Sequence, residues 1–370
     1  MGGETFGEVP AGVIALEDWA SLARARLDPA VLAHLAGHAC DGVTARRNRE
    51  AFLAAEIVPR LLLDGTATAE GTTLFGRRTA APILVAPVAH QGLYHPLAER
   101  ATAMAASAVD TILVVSTLST LSLEAIADAA EGGTQWFQLY VQPDRGFTDA
   151  LVERAEAAGY AALVITVDAP VFGVRNVEQR AGFRLPASLA PANLVGAPRA
   201  EGDGSLSALL AHRPTWGDIE CIVGRSRLPV LLKGILHEED AARAIGLGAA
   251  GVVVSNHGGR VLDLAPASLD RLAPIRDRLG DGPTILLDGG VRRGGDVHVA
   301  VARGADAVLV GRPLIEALAV GGPLGVAHAL KTLIDEWEIT LALAGPPRSP
   351  RRGWAAGGRA PPGVADPTER

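Results

Sequence analysis

The run Ser255-Asn256-His257-Gly258-Gly259-Arg260 joins an imidazole to a guanidinium across two glycines. Imidazole is the side chain that exchanges protons near neutral pH. Guanidinium offers a planar pair of N–H donors that matches a carboxylate. Other chemistry-bearing residues recur at the ends of short apolar runs: Gln138 and Tyr140, Thr166 and Asp168, Lys233, Asp288, and Gly311-Arg312. Two glycine turns carry arginines, Asp288-Gly289-Gly290-Val291-Arg292 and Gly311-Arg312-Pro313. Small residues let backbone N–H groups approach an anion, and the arginines suit a phosphorylated ligand.

The apolar runs that must position these groups cover 83–87, 112–115, 136–140, 162–168, 229–233, 251–255, 284–288 and 307–311. Runs apolar along their whole length predict parallel strands buried on both faces. Amphipathic stretches at 98–108, 123–130, 148–158, 238–247, 267–279 and 295–303 alternate with them as helices. Eight such units predict an α/β fold, a (β/α)₈ TIM barrel, with its site at the C-terminal ends of the strands. A helical extension is expected over 15–55, and a long irregular insertion after strand four, over 185–214, reads as an active-site lid or a spacer. One domain over 1–345 and a Pro/Gly/Arg-rich, poorly ordered tail over 346–370 follow.

At 370 residues the chain exceeds a minimal barrel of about 250 residues. Apolar residues at 48% supply a large core, and aromatics at 4% leave that core mostly aliphatic. A net charge of -7 without a basic block excludes a nucleic-acid backbone binder. Cys40 and Cys221 have no CxxC partner, so neither a disulfide framework nor a metal centre is expected. No leader and no run of about 18 apolar residues is seen, so a cytoplasmic protein is expected.

The Ser255-to-Arg260 run, with Asp288-Gly289-Gly290-Val291-Arg292-Arg293-Gly294 downstream, resembles the FMN-dependent α-hydroxy-acid oxidases and dehydrogenases, the glycolate, lactate and mandelate group. Ala86-Pro87-Val88-Ala89, Phe137-Gln138-Leu139-Tyr140, Thr166-Val167-Asp168, Leu232-Lys233-Gly234 and Gly311-Arg312-Pro313 extend it over about residues 15–345. The resemblance implies FMN across the barrel mouth and oxidation of a 2-hydroxy acid, with oxygen reoxidising the flavin. It places Pro87, Val88 and Ala89 beside the flavin ring, and Ser116, Gln138 and Thr166 on its pyrimidine edge. Lys233, with Ser255 nearby, faces its N1 side, where a cation favours reduction. Asp288, Gly289, Gly290, Arg292, Gly311 and Arg312 hold ribityl and phosphate. Arg260, Tyr140 and Arg175 meet the substrate carboxylate. His257 is the base and Asp168 its partner. Whether His257 takes the C2 proton or the hydroxyl proton stays open. By the same analogy the chain is a homo-oligomer, a tetramer.

Departures gather around the substrate. His34 stands where the family carries a tyrosine that touches the carboxylate. Leu118 replaces a bulky aromatic of glycolate-type members, and His90 follows Ala89 in place of Met or Tyr. The expected substrate is therefore larger than glycolate, aryl or otherwise unusual. Alternatives are a dehydrogenase using another acceptor, a non-redox FMN barrel such as a type 2 isopentenyl-diphosphate isomerase, or an IMP-dehydrogenase-like enzyme. A barrel that only binds a ligand is a further alternative.

Overall fold

The computed structural model describes residues 7–62, 71–198 and 205–347. Eight short strands form the barrel: β1 (Ile83–Val85), β2 (Leu113–Ser116), β3 (Gln135–Leu139), β4 (Leu163–Thr166), β5 (Val230–Ile235), β6 (Gly251–Val254), β7 (Thr284–Asp288) and β8 (Ala307–Val310). All pair in parallel with their sequence neighbours, and β8 returns to β1 with Leu309 opposite Leu84. Closure leaves no barrel edge strand open to pairing.

The strand period of two divides the apolar side chains between two environments. Leu84, Val114, Trp136, Val164, Leu231, Val253, Leu286 and Leu309 fill the barrel interior. Their neighbours, including Val85, Val115, Phe137, Ile165 and Leu232, pack outward. Each fully buried aliphatic side chain contributes about 1.5–3 kcal/mol. A hairpin, Thr73–Leu74 paired with Arg77–Arg78, lies before β1 and is absent from the sequence reading. Its Leu74 joins the interior cluster and Phe75 meets Trp136 at 5.5 Å, so it plugs the N-terminal mouth.

A helix follows every strand: Ala98–Ala108, Leu123–Ala129, Arg145–Ala157, Trp216–Arg225, Glu238–Gly246, Ser268–Leu279, Gly294–Ala302 and Arg312–Ala344. Arg312–Ala344 is by length and composition apolar enough to cross a bilayer, although charged residues interrupt its apolar run. It breaks at Gly322-Pro323, and 67% of its apolar window is buried. Trp19, on the preceding helix Leu16–Arg26, packs against Gly321 and Gly325. A Cβ at either glycine would lie 3.1–3.4 Å from that indole.

The expected helical extension is three helices, Leu16–Arg26, Pro29–Ala36 and Val43–Leu53. The insertion after β4 is anchored in its first part. Asn193 is fully buried, donates to Ser119 Oγ at 2.8 Å and accepts from Leu123 N at 2.9 Å. It staples the segment to the loop after β2. Residues 199–204, and the expected tail from 348, lie outside the described residues.

Candidate active site

The inward-facing series does not stop at the apolar layer. Two residues beyond Val114, Trp136, Val164, Leu231, Val253 and Leu286 stand Ser116, Gln138, Thr166, Lys233, Ser255 and Asp288. All six are buried, so strand parity delivers one polar layer to the C-terminal mouth. Ser116 Oγ donates to Gln138 Oε1 at 3.1 Å, and Gln138 Nε2 donates to Thr166 Oγ1 at 3.0 Å. Lys233 Nζ lies 2.8 Å from Asp288 Oδ2 and donates to Ser255 Oγ at 3.0 Å. Burial disfavours the Lys233 charge, but Asp288 and Asp168 outweigh it and hold its pKa above the ordinary value.

Another step of two reaches Leu118, Tyr140, Asp168 and His257. His257 Nδ1 lies 3.0 Å from Asp168 Oδ1. Burial alone would raise the Asp168 pKa; the hydrogen bond and charge of His257, with Lys233, bring it below the usual carboxylate value. His257, Gly258 and Gly259 all have positive φ, at 58°, 62° and 75°. This left-handed turn swings the imidazole off the strand line. A Cβ at Gly259 would lie 2.6 Å from Ala45 N, so only glycine fits there. Asn256 clamps the turn from below: its side-chain amide pairs reciprocally with that of Asn48, at 2.7 and 2.8 Å.

After β7 and β8 the backbone opens into a cationic nest. Gly289 and Gly290 have φ of 95° and 93°. Arg312 Nη2 donates to Gly258 O at 2.9 Å, and Arg292 Nη1 to Val291 O at 2.8 Å. Neither has a carboxylate within ion-pair distance among the described residues, and both are half-buried. Burial lowers the Arg312 pKa to about 10 and that of Arg292 in the same direction. Two desolvated cations beside glycine turns form a seat for a phosphate.

A second charged cluster lines the same pocket. Arg260 Nη1 donates to Leu35 O and Gly37 O at 3.1 and 2.7 Å, and Nη2 to His34 O at 2.9 Å. These carbonyls end the helix Pro29–Ala36 and fix the guanidinium. Arg175 donates to Arg260 O at 3.4 Å. Glu178 Oε2 lies 3.2 Å from His34 Nδ1, 3.4 Å from Arg175 Nη1 and 4.0 Å from Arg260 Nη2. Burial pushes the Tyr140 hydroxyl up to about 12 and Tyr94 further in the same direction, so both remain donors at neutral pH.

Residues 23–350 match the family described as FMN-dependent dehydrogenase. The chain belongs to that family. An L-lactate oxidase of Alicycliphilus denitrificans is 46% identical over 344 residues, 91% of this chain and 94% of that one. A 4-hydroxymandelate oxidase of Amycolatopsis orientalis is 42% identical over 339 residues, 90% and 94% of the two chains. A crystal structure of mandelate oxidase with (S)-4-hydroxymandelic acid superposes with a TM-score of 0.83 at 42% identity, covering 90% and 95%. This member of the FMN-dependent dehydrogenase family is thus an oxidoreductase with FMN as its cofactor.

One pocket at the barrel mouth collects nearly every residue singled out from sequence. Pro87, Val88, Ala89, Ser116, Gln138, Thr166, Lys233, Asp288, Gly289, Gly290, Arg292, Gly311 and Arg312 line it. So do His257, Tyr140, Arg260, Arg175, His34, His90 and Leu118. Asp168 and Ser255 stand behind the wall, Asp168 supporting His257 and Ser255 bridging Lys233 Nζ to His257 N. His90 has a left-handed φ of 54°, and burial lowers its pKa. Asn48, Glu178, Glu99 and Tyr94 complete the assembly, Tyr94 on the pocket wall itself. Glu99 accepts from the backbone N–H of Gln91, Thr120 and Leu121, joining the loops after β1 and β2. The phosphate seat and the unpaired, buried Asp288 Oδ1 fit a phosphorylated, hydroxyl-bearing cofactor such as FMN.

Proposed function

We propose that this protein oxidises a 2-hydroxy acid to the 2-oxo acid, with His257 as the base and oxygen as the terminal acceptor. The observation that carries the reading is the His257–Asp168 pair at 3.0 Å on a wall that also holds Arg260. FMN, when bound, supplies a two-electron acceptor. Asp168 keeps a proton on Nδ1 and leaves Nε2 free to take one from the substrate. The imidazolium that forms then sits beside a carboxylate already charged for it. Arg260, Arg175 and Tyr140 orient the carboxyl end. Lys233 adds a buried cation where negative charge accumulates on reduction.

Arg292, Arg312 and the glycine turns would hold the cofactor phosphate, Asp288 its ribityl hydroxyls, and Ser116, Gln138 and Thr166 its polar ring edge. Leu118 leaves room for a side chain larger than that of glycolate. Oxygen as acceptor is supported by relatives whose names are oxidases. The barrel and its extension are read as one domain of a cytoplasmic protein, and a homotetramer is proposed by family analogy; light scattering of the purified protein tests the assembly. Anaerobic mixing with a panel of 2-hydroxy acids tests the reaction, followed by readmission of oxygen and a peroxide assay. Loss of the flavin colour and peroxide on reoxidation are expected. Bleaching without peroxide on reoxidation points to a different acceptor.

A further inference from the structure

The proton removal assigned above makes no use of Glu99, a buried carboxylate in the first turn of the helix Ala98–Ala108. Its Oε1 accepts from Gln91 N at 3.0 Å and from Thr120 N at 2.9 Å, and its Oε2 accepts from Leu121 N at 3.2 Å. Three converging main-chain donors hold the group in one orientation. Gln91 lies in the loop after β1, and Thr120 and Leu121 in the loop after β2. The same two loops carry His90 and Leu118 to the pocket wall. Glu99 is therefore a clasp between the segments that present these two side chains.

The clasp sits on strained backbone. His90 is left-handed, with φ 54° and ψ 46°, and Ala98, immediately before Glu99, has φ 47°. Such conformations cost a residue other than glycine free energy, and they persist only where the surroundings over-determine them. At His90 they do. His90 N donates to Leu118 O at 3.0 Å, Gln91 N to Glu99, and Gly92 N to Thr120 Oγ1 at 3.0 Å. Three consecutive N–H groups are thus fixed to the β2 loop or to the carboxylate that holds it. The Gln91 side chain is gripped from the same helix. Thr102 Oγ1 donates to Gln91 Oε1, and Gln91 Nε2 donates to Val88 O at 3.4 Å.

We infer that Glu99 is a positioning residue for substrate selection: it holds His90 in its left-handed conformation and so fixes the His90–Leu118 wall against which a substrate side chain must fit. The inference rests on the 2-hydroxy-acid reading above. Two side chains held at one spacing discriminate by size and shape, whereas a wall free to repack discriminates less. Glycolate has no side-chain carbon to reach the wall, and an aryl 2-hydroxy acid does. Glu99→Gln keeps the volume but sets an NH₂ group where an oxygen accepts, donor against donor. His90 can then relax to negative φ, and the wall loses its fixed spacing.

Flavin reduction by (S)-mandelate and by glycolate is compared in the FMN-loaded wild type and Glu99→Gln. The mandelate-to-glycolate ratio of kcat/KM is expected to fall about tenfold in the variant, chiefly through KM for mandelate, while glycolate changes by less than about threefold. If Glu99→Gln does not fold, Glu99→Asp, an acceptor one methylene too short to span the loops, takes its place with the same expectation. A double-mutant cycle on urea midpoints reads the strain without substrate. Glycine adopts positive φ freely, so His90→Gly relieves strain only where the clasp imposes it. Its effect on the midpoint is expected to be more favourable with Glu99 present than in the Glu99 variant. A selectivity ratio that does not move, or an equal effect of His90→Gly in both backgrounds, overturns the inference. If no 2-hydroxy acid reduces the flavin, the proposed function fails, and the urea cycle still decides whether Glu99 holds His90.

Discussion

Asp168 and His257 are 89 residues apart in the chain and 3.0 Å apart in the fold. Gly234 makes that approach possible. Its φ is +105°, at a register shift in β5, and a Cβ there would lie 2.4 Å from Asp168 Cβ. The Leu232-Lys233-Gly234 run thus does two jobs. Lysine supplies a buried cation, and the glycine after it clears space for the carboxylate that orients the base.

Removing the imidazole separates chemistry from cofactor binding. His257→Ala is expected to retain FMN and to slow flavin reduction by substrate about 10²–10⁴-fold, the usual contribution of a positioned general base. Stopped-flow absorbance without oxygen measures it. Reduction at the wild-type rate would remove His257 from the reaction.

Asp168→Asn is expected to lower kcat and also to change the response to acid. The folded pKa of Asp168 lies below its unfolded value. Its charge therefore contributes stability at all pH values above the unfolded carboxylate value. That contribution fades as pH falls through the folded value. Urea melts across the acid range should show a shallower acid loss in Asp168→Asn than in the wild type.

Gly234→Ala tests the clearance. The added methyl must displace Asp168, and positive φ adds about 1–3 kcal/mol of strain. Activity is expected to fall further than stability, because the displaced group is the partner of His257. Paired kcat and denaturation measurements check the order of the two effects.

The phosphate seat depends on Arg312 and Arg292. Arg312→Gln is expected to weaken FMN binding while leaving the barrel folded, since its only protein hydrogen bond among the described residues goes to Gly258 O. A loss of about 1.5–3 kcal/mol, on the scale of a charged hydrogen bond, corresponds to roughly 10- to 100-fold in Kd. Titration of apoprotein with FMN by calorimetry gives the number.

Leu118→Trp refills the space beside the substrate. It is expected to raise KM for aryl and branched 2-hydroxy acids more than for glycolate. A wild-type preference for glycolate or lactate over the larger acids would contradict the size argument.

Asn48→Ala leaves the Asn256 amide without its reciprocal partner. Asn256 keeps Pro266 O and Gly259 N as partners, but the buried Ser268 N–H loses its acceptor, which costs about 1–3 kcal/mol. The turn that carries His257 loosens with it, so kcat is expected to fall together with the urea midpoint.

The barrel was legible because parallel strands buried on both faces write themselves as short, wholly apolar runs. The polar layer was legible because Gln138, Thr166, Lys233 and Asp288 interrupt or end those runs, and the family resemblance added Ser116. Asn48 left no such trace. Its partner Asn256 is 208 residues away, and an asparagine on a polar helix looks like any solvated side chain. Glu178 was readable in part, three residues after Arg175 on a short helix, but nothing local shows that His34 meets it. The hairpin Thr73–Leu74/Arg77–Arg78 has only two residues per strand, too few for a periodic signal. Arg312–Ala344 was missed because Gly322-Pro323 reads as a loop, whereas here it kinks a helix that continues.

The most direct test is the visible spectrum of the purified protein before and after an anaerobic 2-hydroxy acid is added. The account predicts a yellow, FMN-bearing protein that loses its colour with at least one such acid, and a His257→Ala variant that stays yellow under the same conditions. A colourless protein that FMN cannot reconstitute, or a yellow one that no 2-hydroxy acid bleaches, would contradict it.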